Sequence, residues 1–217
     1  SVIGNPIREI IDRNIRRENI IVSVGRLIDT KNFDQLINIF NNTDNDNWKL
    51  IIVGGDAIKQ KNSVTLQKMI DDLKLSEKVI LAGTQKDVES YLLKSKIFAF
   101  TSSSEGFPNV VGEAMSAGLP VVSYDCIAGP SDMINNGENG YLIPLFDQDM
   151  FKEKLNYLMN HAEIISQMSE NAKLSIKKFS TENICEQYYN FITKYPESGR
   201  SRQTAVSAQC RNDPRDA

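Results

Sequence analysis

Two glutamates, Glu105 and Glu113, bracket the string Gly106-Phe107-Pro108-Asn109-Val110-Val111-Gly112, and two cations, Arg26 and Lys31, stand five residues apart upstream. Each of these residue types has a definite chemistry. A carboxylate accepts two hydrogen bonds at once, which suits the vicinal hydroxyls of a ribose or hexose. Arginine offers a planar fork and lysine a point charge, so together they can clamp a diphosphate, although singly each would be an ordinary surface charge. The first turn of a helix adds unpartnered N–H groups and a partial positive charge. The combination describes a ligand with a sugar at each end and phosphate between, which is the layout of a nucleotide-sugar.

Such residues need particular elements to carry them. Residues 97–101 read as a buried strand, broken by Ser-Glu-Gly-Phe-Pro, after which a helix starts with Pro108 near its first position. Glu105 then sits at the mouth of the strand, Glu113 lies about one turn into the helix, ~6 Å further along its axis, and Gly106 lets a ligand approach the backbone. Residues 19–24 read as a buried parallel-type strand whose carboxyl end carries Gly25-Arg26-Leu27-Ile28-Asp29-Thr30-Lys31. That is the end at which open α/β sheets bind ligands. A helix follows, with Leu36, Ile37, Ile39 and Phe40 on its apolar side. Further strands are expected over 48–53, 79–81, 120–124 and 141–144, and helices over 64–73, 87–93, 150–159, 164–178 and 181–194. This alternation predicts an α/β fold: a Rossmann-like parallel sheet flanked by helices.

Glu105 and Glu113 with Gly-Phe-Pro between them, followed by Ala114-Met115, Ala117-Gly118 and Pro120-Val121-Val122, closely resemble the signature of the family-4 retaining glycosyltransferases. The Gly-Arg-Leu-x3-Lys string matches that family's diphosphate-binding pair at Arg26 and Lys31. The resemblance covers roughly residues 2–195 and implies the donor-binding, C-terminal half of a GT-B glycosyltransferase. Such an enzyme transfers a sugar from a nucleoside-diphosphate donor, here with UDP as the expected nucleotide, and retains configuration at the anomeric carbon. It implies a catalytic set of Arg26, Lys31 and Glu105. The two cations and the helix amides stabilise the departing diphosphate, Glu105 holds a hydroxyl of the transferred sugar, and Glu113 binds the ribose. Gly25, Gly83, Thr84, Gly106, Phe107, Pro108, Asn109 and Val110 complete the implied donor site. Gly83 and Thr84 belong to a loop, 82–86, that by this resemblance borders the nucleobase through backbone groups.

Asp125 and residues 128–134 resemble the family's loop and short helix beside the donor, and Phe179-Ser180-Thr181 resembles the start of its last helix, with Thr181 where an aromatic is common. The opening residues 2–7 resemble the linker into the second domain. The chain is therefore expected to begin in mid-protein, to leave a glycan or lipid-linked acceptor to an N-terminal half, and to bind donor without transferring sugar by itself. The expected setting is bacterial capsule, O-antigen, lipopolysaccharide or other surface-polysaccharide synthesis, in the cytoplasm or at the inner face of its membrane. Two other readings stand beside this one: a nucleotide-sugar epimerase or hydrolase of related fold, and a non-enzymatic nucleotide-sugar-binding module.

Other classes lose support. With 217 residues, 41% of them hydrophobic and 24% charged, the chain can bury a core, while a net charge of −3 leaves no basic footprint for nucleic acid. No stretch is long and apolar enough for a transmembrane segment. Cys126, Cys185 and Cys210 are too scattered for zinc or a disulfide framework. The single histidine, His161, lies near a helix end, where a surface or capping role is expected, so a Ser/His/Asp hydrolase has no base. No G-x-G-x-x-G follows the first two strands and no P-loop string occurs, which argues against NAD and NTP hydrolysis. Asp44-Asn45-Asp46 reads as a turn and Asp147-Gln148-Asp149 as a helix start, so no metal and no cofactor besides the donor are expected. Arg13, Arg16, Arg17 and Glu18 read as a solvated face. Between positions 31 and 199 there are sixteen lysines and no arginine, whereas 200–217 holds four arginines and no lysine. This break divides the chain into a domain at 1–195 and a tail at 196–217, expected to be disordered and vector-derived or frame-shifted.

Overall fold

Strands that are apolar at every position need cover on both faces, and the helices of this chain supply it. The computed structural model describes residues 3–127 and 129–194; Ala128, Cys210 and the 196–217 tail lie outside the described residues. Six strands, β1 (Ile20–Val24), β2 (Lys49–Val53), β3 (Val79–Gly83), β4 (Ile97–Phe100), β5 (Val121–Tyr124) and β6 (Gly140–Ile143), form one sheet in the order β3-β2-β1-β4-β5-β6. Every neighbouring pair is parallel. The helices are α1 (Phe33–Asn41), α2 (Asn62–Asp72), α3 (Val88–Lys94), α4 (Asn109–Ser116), α5 (Pro130–Met133), α6 (Gln148–Asn160), α7 (Ala162–Ile176) and α8 (Thr181–Lys194).

Side chains alternate across a strand, and the two sets go to different layers. Ile21, Leu50, Ile52, Ile97, Ala99 and Tyr124 pack with α1, α2 and α6. Ile20, Val22, Ile51, Val53, Phe98 and Phe100 pack with α3 and α4. The middle of the sheet is thus a two-sided core, in which each fully buried Phe or Ile contributes about 1.5–3 kcal/mol. Helix α1 buries the expected Leu36, Ile37, Ile39 and Phe40, and Phe33 with them. The third strand runs on to Gly83. The penultimate helix ends at Ile176, and a 3-10 turn (Lys177–Phe179) separates it from α8. Helix α8 has Ile184 as its buried residue.

The first seventeen described residues form an extended strap, and here the sequence reading needs correction. Ile7 and Ile10 are buried. The Ile7 amide donates to the Phe179 carbonyl at 2.7 Å and the Ile10 amide to Ser116 Oγ at 2.8 Å. The charged stretch after them faces solvent as expected, but it is also an attachment, through Arg17 above all. Arg17 donates to the carbonyls of Ser95 and Ala117 at 2.5 Å each, and burial pushes its guanidinium down from the usual value. Arg13 pairs with Asp87 at 2.9 Å and Glu89 at 2.6 Å, and Glu18 with Lys94 at 3.1 Å. Arg13, Arg16 and Glu18 keep the exposed positions expected of them, and Arg17 is the partly buried member of the stretch.

The remaining polar features take structural parts. The Asp147 carboxylate accepts from the Met150 amide at 2.9 Å and so caps α6. Asn45, in the other Asp-x-Asp string, is buried and donates to the Phe40 carbonyl at 2.7 Å. His161, between α6 and α7, donates from Nδ1 to the Tyr157 carbonyl at 2.7 Å. Among the described residues, no helix is long and apolar enough to cross a membrane.

Candidate functional site

The chain fills the sheet outward from β1 through β2 to β3, then returns to lay β4 on the other side of β1. The loops leaving β1 and β4 therefore head in opposite directions, and the crevice between their carboxyl ends is where such sheets take ligands. Both sequence motifs lie there.

Backbone bonds fix the β1 loop to its neighbours: the Gly25 amide donates to the Val53 carbonyl and the Leu27 amide to that of Gly55, both at 2.9 Å. At the end of the loop, Asn32 adopts a left-handed conformation (φ 49°), which asparagine tolerates better than most residues, and it starts α1. Its side-chain amide donates to the Thr101 carbonyl at 2.9 Å, Thr101 Oγ1 donates to the Lys31 carbonyl at 2.8 Å, and the Ser103 amide donates to the Thr30 carbonyl at 2.8 Å. The two loops are laced together. Lys31 consequently reaches across the crevice, where it pairs with Glu105 and sits 5.3 Å from the centre of the Phe100 ring, a cation–π distance. Both side chains of the pair are only 16% exposed. Gly25 makes room for this arrangement, since a Cβ there would lie 3.3 Å from Lys31 Cε. Arg26 is exposed and makes no ion pair among the described residues.

The start of α4 presents fewer open amides than the full run from Gly106 to Val110. Pro108 has none, and the Asn109 amide already donates to the Phe107 carbonyl at 3.0 Å. Those of Gly106, Phe107 and Val110 remain without a partner among the described residues. Gly106 is exposed, and a Cβ there would meet nothing within 4 Å. Phe107 packs edge-on against Phe179 at 5.6 Å, Pro108 is buried, and Asn109 Oδ1 accepts from Asn5 at 3.1 Å. The loop after β3 is tied in through Gly83 (φ +67°), whose carbonyl accepts from the Gly54 amide at 2.9 Å, with the exposed Thr84 beside it.

Glu113 is half-buried and its carboxylate makes no hydrogen bond among the described residues. It lines a cavity of about 590 Å³ together with Val24, Lys86, Glu89, Val110 and the strap residue Arg8. Burial raises its carboxyl above the usual 4.5, and the negative charge of Glu89 adds to the effect while Arg8 opposes it. A larger cavity of about 950 Å³ lies between the strap, α7 and the start of α8, with Ile10, Ser116, Lys173 and Thr181 in its walls. It contains none of the motif residues, so size alone does not mark the site.

The structure thus brings Gly25, Lys31 and Glu105 into contact, sets Val110 and Glu113 on an adjoining cavity, and leaves Arg26 at the exposed rim. Sequence reasoning missed Phe100, Asn32, Glu89 and Arg8. An asparagine just ahead of an apolar helix was a usable signal for Asn32. The other three act on partners far away in sequence, and no local pattern announces them.

Residues 7–175 match the family model described as glycosyl transferases group 1. The chain is 28% identical over 188 residues to the amylovoran biosynthesis glycosyltransferase AmsD of Erwinia amylovora, covering 87% of this chain and 52% of that protein. Among solved structures, Staphylococcus aureus TarM in a complex containing UDP is 30% identical, with a TM-score of 0.77 over 85% of this chain and 38% of that one. The lipopolysaccharide outer core galactosyltransferase WaaB is 27% identical, with a TM-score of 0.77 over 89% and 55%. The chain spans about half the length of the curated relatives it matches.

Proposed function

Because the chain belongs to the group 1 glycosyl transferases, we propose that it forms the donor site of a retaining hexosyltransferase that uses a nucleoside-diphosphate sugar, with UDP the first nucleotide to test. The observation that carries this reading is the gathering, at the switch point of the sheet, of a lysine paired to a carboxylate, three open amides and a second carboxylate on the next cavity. The UDP in the TarM complex supports the choice of base. The names of AmsD and WaaB support a place in bacterial surface-polysaccharide synthesis. Acceptor binding, to a glycan or a lipid-linked glycan at the inner face of the cytoplasmic membrane, would fall to the other half of a protein of the relatives' length.

The chemistry follows from charge. As the bond to the anomeric carbon breaks, negative charge grows on the diphosphate, and donors already fixed in place stabilise it without reorganising. Lys31, Arg26 and the amides of Gly106, Phe107 and Val110 would be those donors. Glu105 holds Lys31 in position and has lone pairs left for a hydroxyl of the transferred sugar. Glu113 accepts from the ribose hydroxyls. These cations supply the diphosphate's counter-charge, so nucleotide binding is expected to be independent of divalent metal. Calorimetric titration with UDP, GDP and ADP tests the reading. UDP binding that persists in EDTA is the expected result, and binding that vanishes and returns with Mg2+ would assign the counter-charge to a metal.

Glu113→Gln keeps the shape but loses charge-assisted bonds, so nucleotide affinity should weaken by ~1.5–3 kcal/mol. Stability should move the other way. A carboxyl raised in the folded state favours folding only while protonated, below its ordinary value, and costs stability once pH climbs through the raised value. The glutamine variant should therefore be the more stable at neutral pH and lose that advantage in acid, which thermal melts across pH would read.

A further inference from the structure

Glu113 accepts charge-assisted bonds from both ribose hydroxyls only as a carboxylate, yet its surroundings work against the charge. It is half-buried, and another carboxylate, Glu89, stands on the same cavity. Glu89 is itself only 20% exposed, and both its oxygens are occupied by the strap: Arg8 reaches Oε1 at 3.0 Å and Arg13 reaches Oε2 at 2.6 Å. Arg13 also holds Asp87 at 2.9 Å, and the Asp87 carboxylate accepts from the Ser90 amide to cap α3. The charged groups facing Glu113 are therefore Glu89 and Asp87 from α3 and its cap, Lys86 from the loop ahead of it, and Arg8 and Arg13 from the strap.

Resting on the reading of Glu113 as the ribose ligand, we infer that Arg8 and Arg13 are positioning residues for the donor, which keep the Glu113 carboxylate able to accept from ribose by holding Glu89 in paired form beside it. The strap thereby becomes part of the nucleotide site although it carries none of the motif residues. A lone carboxylate at Glu89 would repel Glu113 across the cavity, whose apolar wall is formed by Val24, Val88, Leu92 and Val110. With the two guanidiniums in place and Lys86 beside them, the three carboxylates Asp87, Glu89 and Glu113 face three positive charges.

The inference has a readout that loosening of the fold would not reproduce. In the variant Arg8→Gln/Arg13→Gln, UDP affinity measured by calorimetry between about pH 5 and pH 8 should fall several-fold at the acid end, recover at the alkaline end, and show its acid limb displaced upward by ~0.5–1 unit. Adding Glu89→Gln to that variant removes the repelling charge and should return the limb to its original place. Weakening by the same factor at every pH, or failure of Glu89→Gln to restore the limb, overturns the inference. Glu113→Gln separates the two layers of the argument. If that variant binds UDP as the parent does, the ribose reading has failed. If it binds weakly while the arginine variant keeps the parent's pH profile, only the role of the strap has failed.

Discussion

On the proposed function, Lys31→Ala is expected to lower the transfer rate of a protein of the relatives' length by ~10²–10³-fold, the loss typical for removing one fixed donor from a site of developing negative charge. Two effects act in the same direction. In the proposed site the ammonium that would face the departing diphosphate is gone, and Glu105, which among the described residues has Lys31 as its ion-pair partner, is left as an uncompensated carboxylate. Glu105 would then repel the phosphates it formerly helped to receive. The double variant Lys31→Ala/Glu105→Gln removes that repulsion and should bind UDP more tightly than Lys31→Ala alone, though it recovers little turnover. Breaking a fully buried pair costs about 3–5 kcal/mol of stability. This pair touches solvent, so a smaller loss is expected and the domain should remain folded. Steady-state rates together with urea denaturation separate the two contributions, and a rate loss of less than about tenfold would remove Lys31 from the site.

Gly54→Ala should be the most damaging small substitution in the domain. Gly54 holds a φ of +148°, which L side chains rarely adopt, and a Cβ there would lie 1.8 Å from the Gly25 carbonyl oxygen. The obstacle is backbone and cannot rotate away. Backbone strain and overpacking each cost about 1–3 kcal/mol, a large share of the roughly 5–15 kcal/mol that holds a domain together. The damage should reach the site, because the loop that must yield carries Gly25, and Gly25 packs under Lys31. Gly106→Ala is the matching control: its Cβ meets nothing within 4 Å, so the denaturation midpoint should stay put. A Gly54→Ala protein with an unchanged midpoint would contradict this account.

How far these features were readable depends on the range of the interactions behind them. The strand, break and helix carrying Glu105 and Glu113 could be read because each signal is local: an apolar run, then Ser-Glu-Gly-Phe-Pro, then a helical pattern. The core face of α1 was legible for the same reason. The strap was not. Arg17 bonds to the carbonyls of Ser95 and Ala117, and nothing in an arginine-rich stretch distinguishes such a clamp from a solvated face. The same limit separated Lys31 from Glu105, which the sequence placed in one site but could not join as a pair. Counting open amides at the start of α4 also required the turn that engages Asn109, a detail no propensity encodes.

The position of the crevice in the sheet has a consequence for how the domain assembles. Parallel neighbours cannot be joined by a tight hairpin, so each pairing waits for the intervening chain to close. Most pairings are between consecutive strands, as in Ile20 with Lys49 or Phe98 with Val121, and each needs only one helical crossover. The exception is β1 with β4, where Ile21 meets Ile97 after two complete crossovers have been laid down. That contact spans the longest separation in the sheet, and contacts of this kind slow folding. Lys31 and Glu105 ride on the loops that leave these two strands. A chain with either half of the sheet formed alone holds one lip of the crevice and no ligand site. On the proposed function, nucleotide affinity would therefore be gained when the two halves join, and a bound nucleotide would stabilise the joined state.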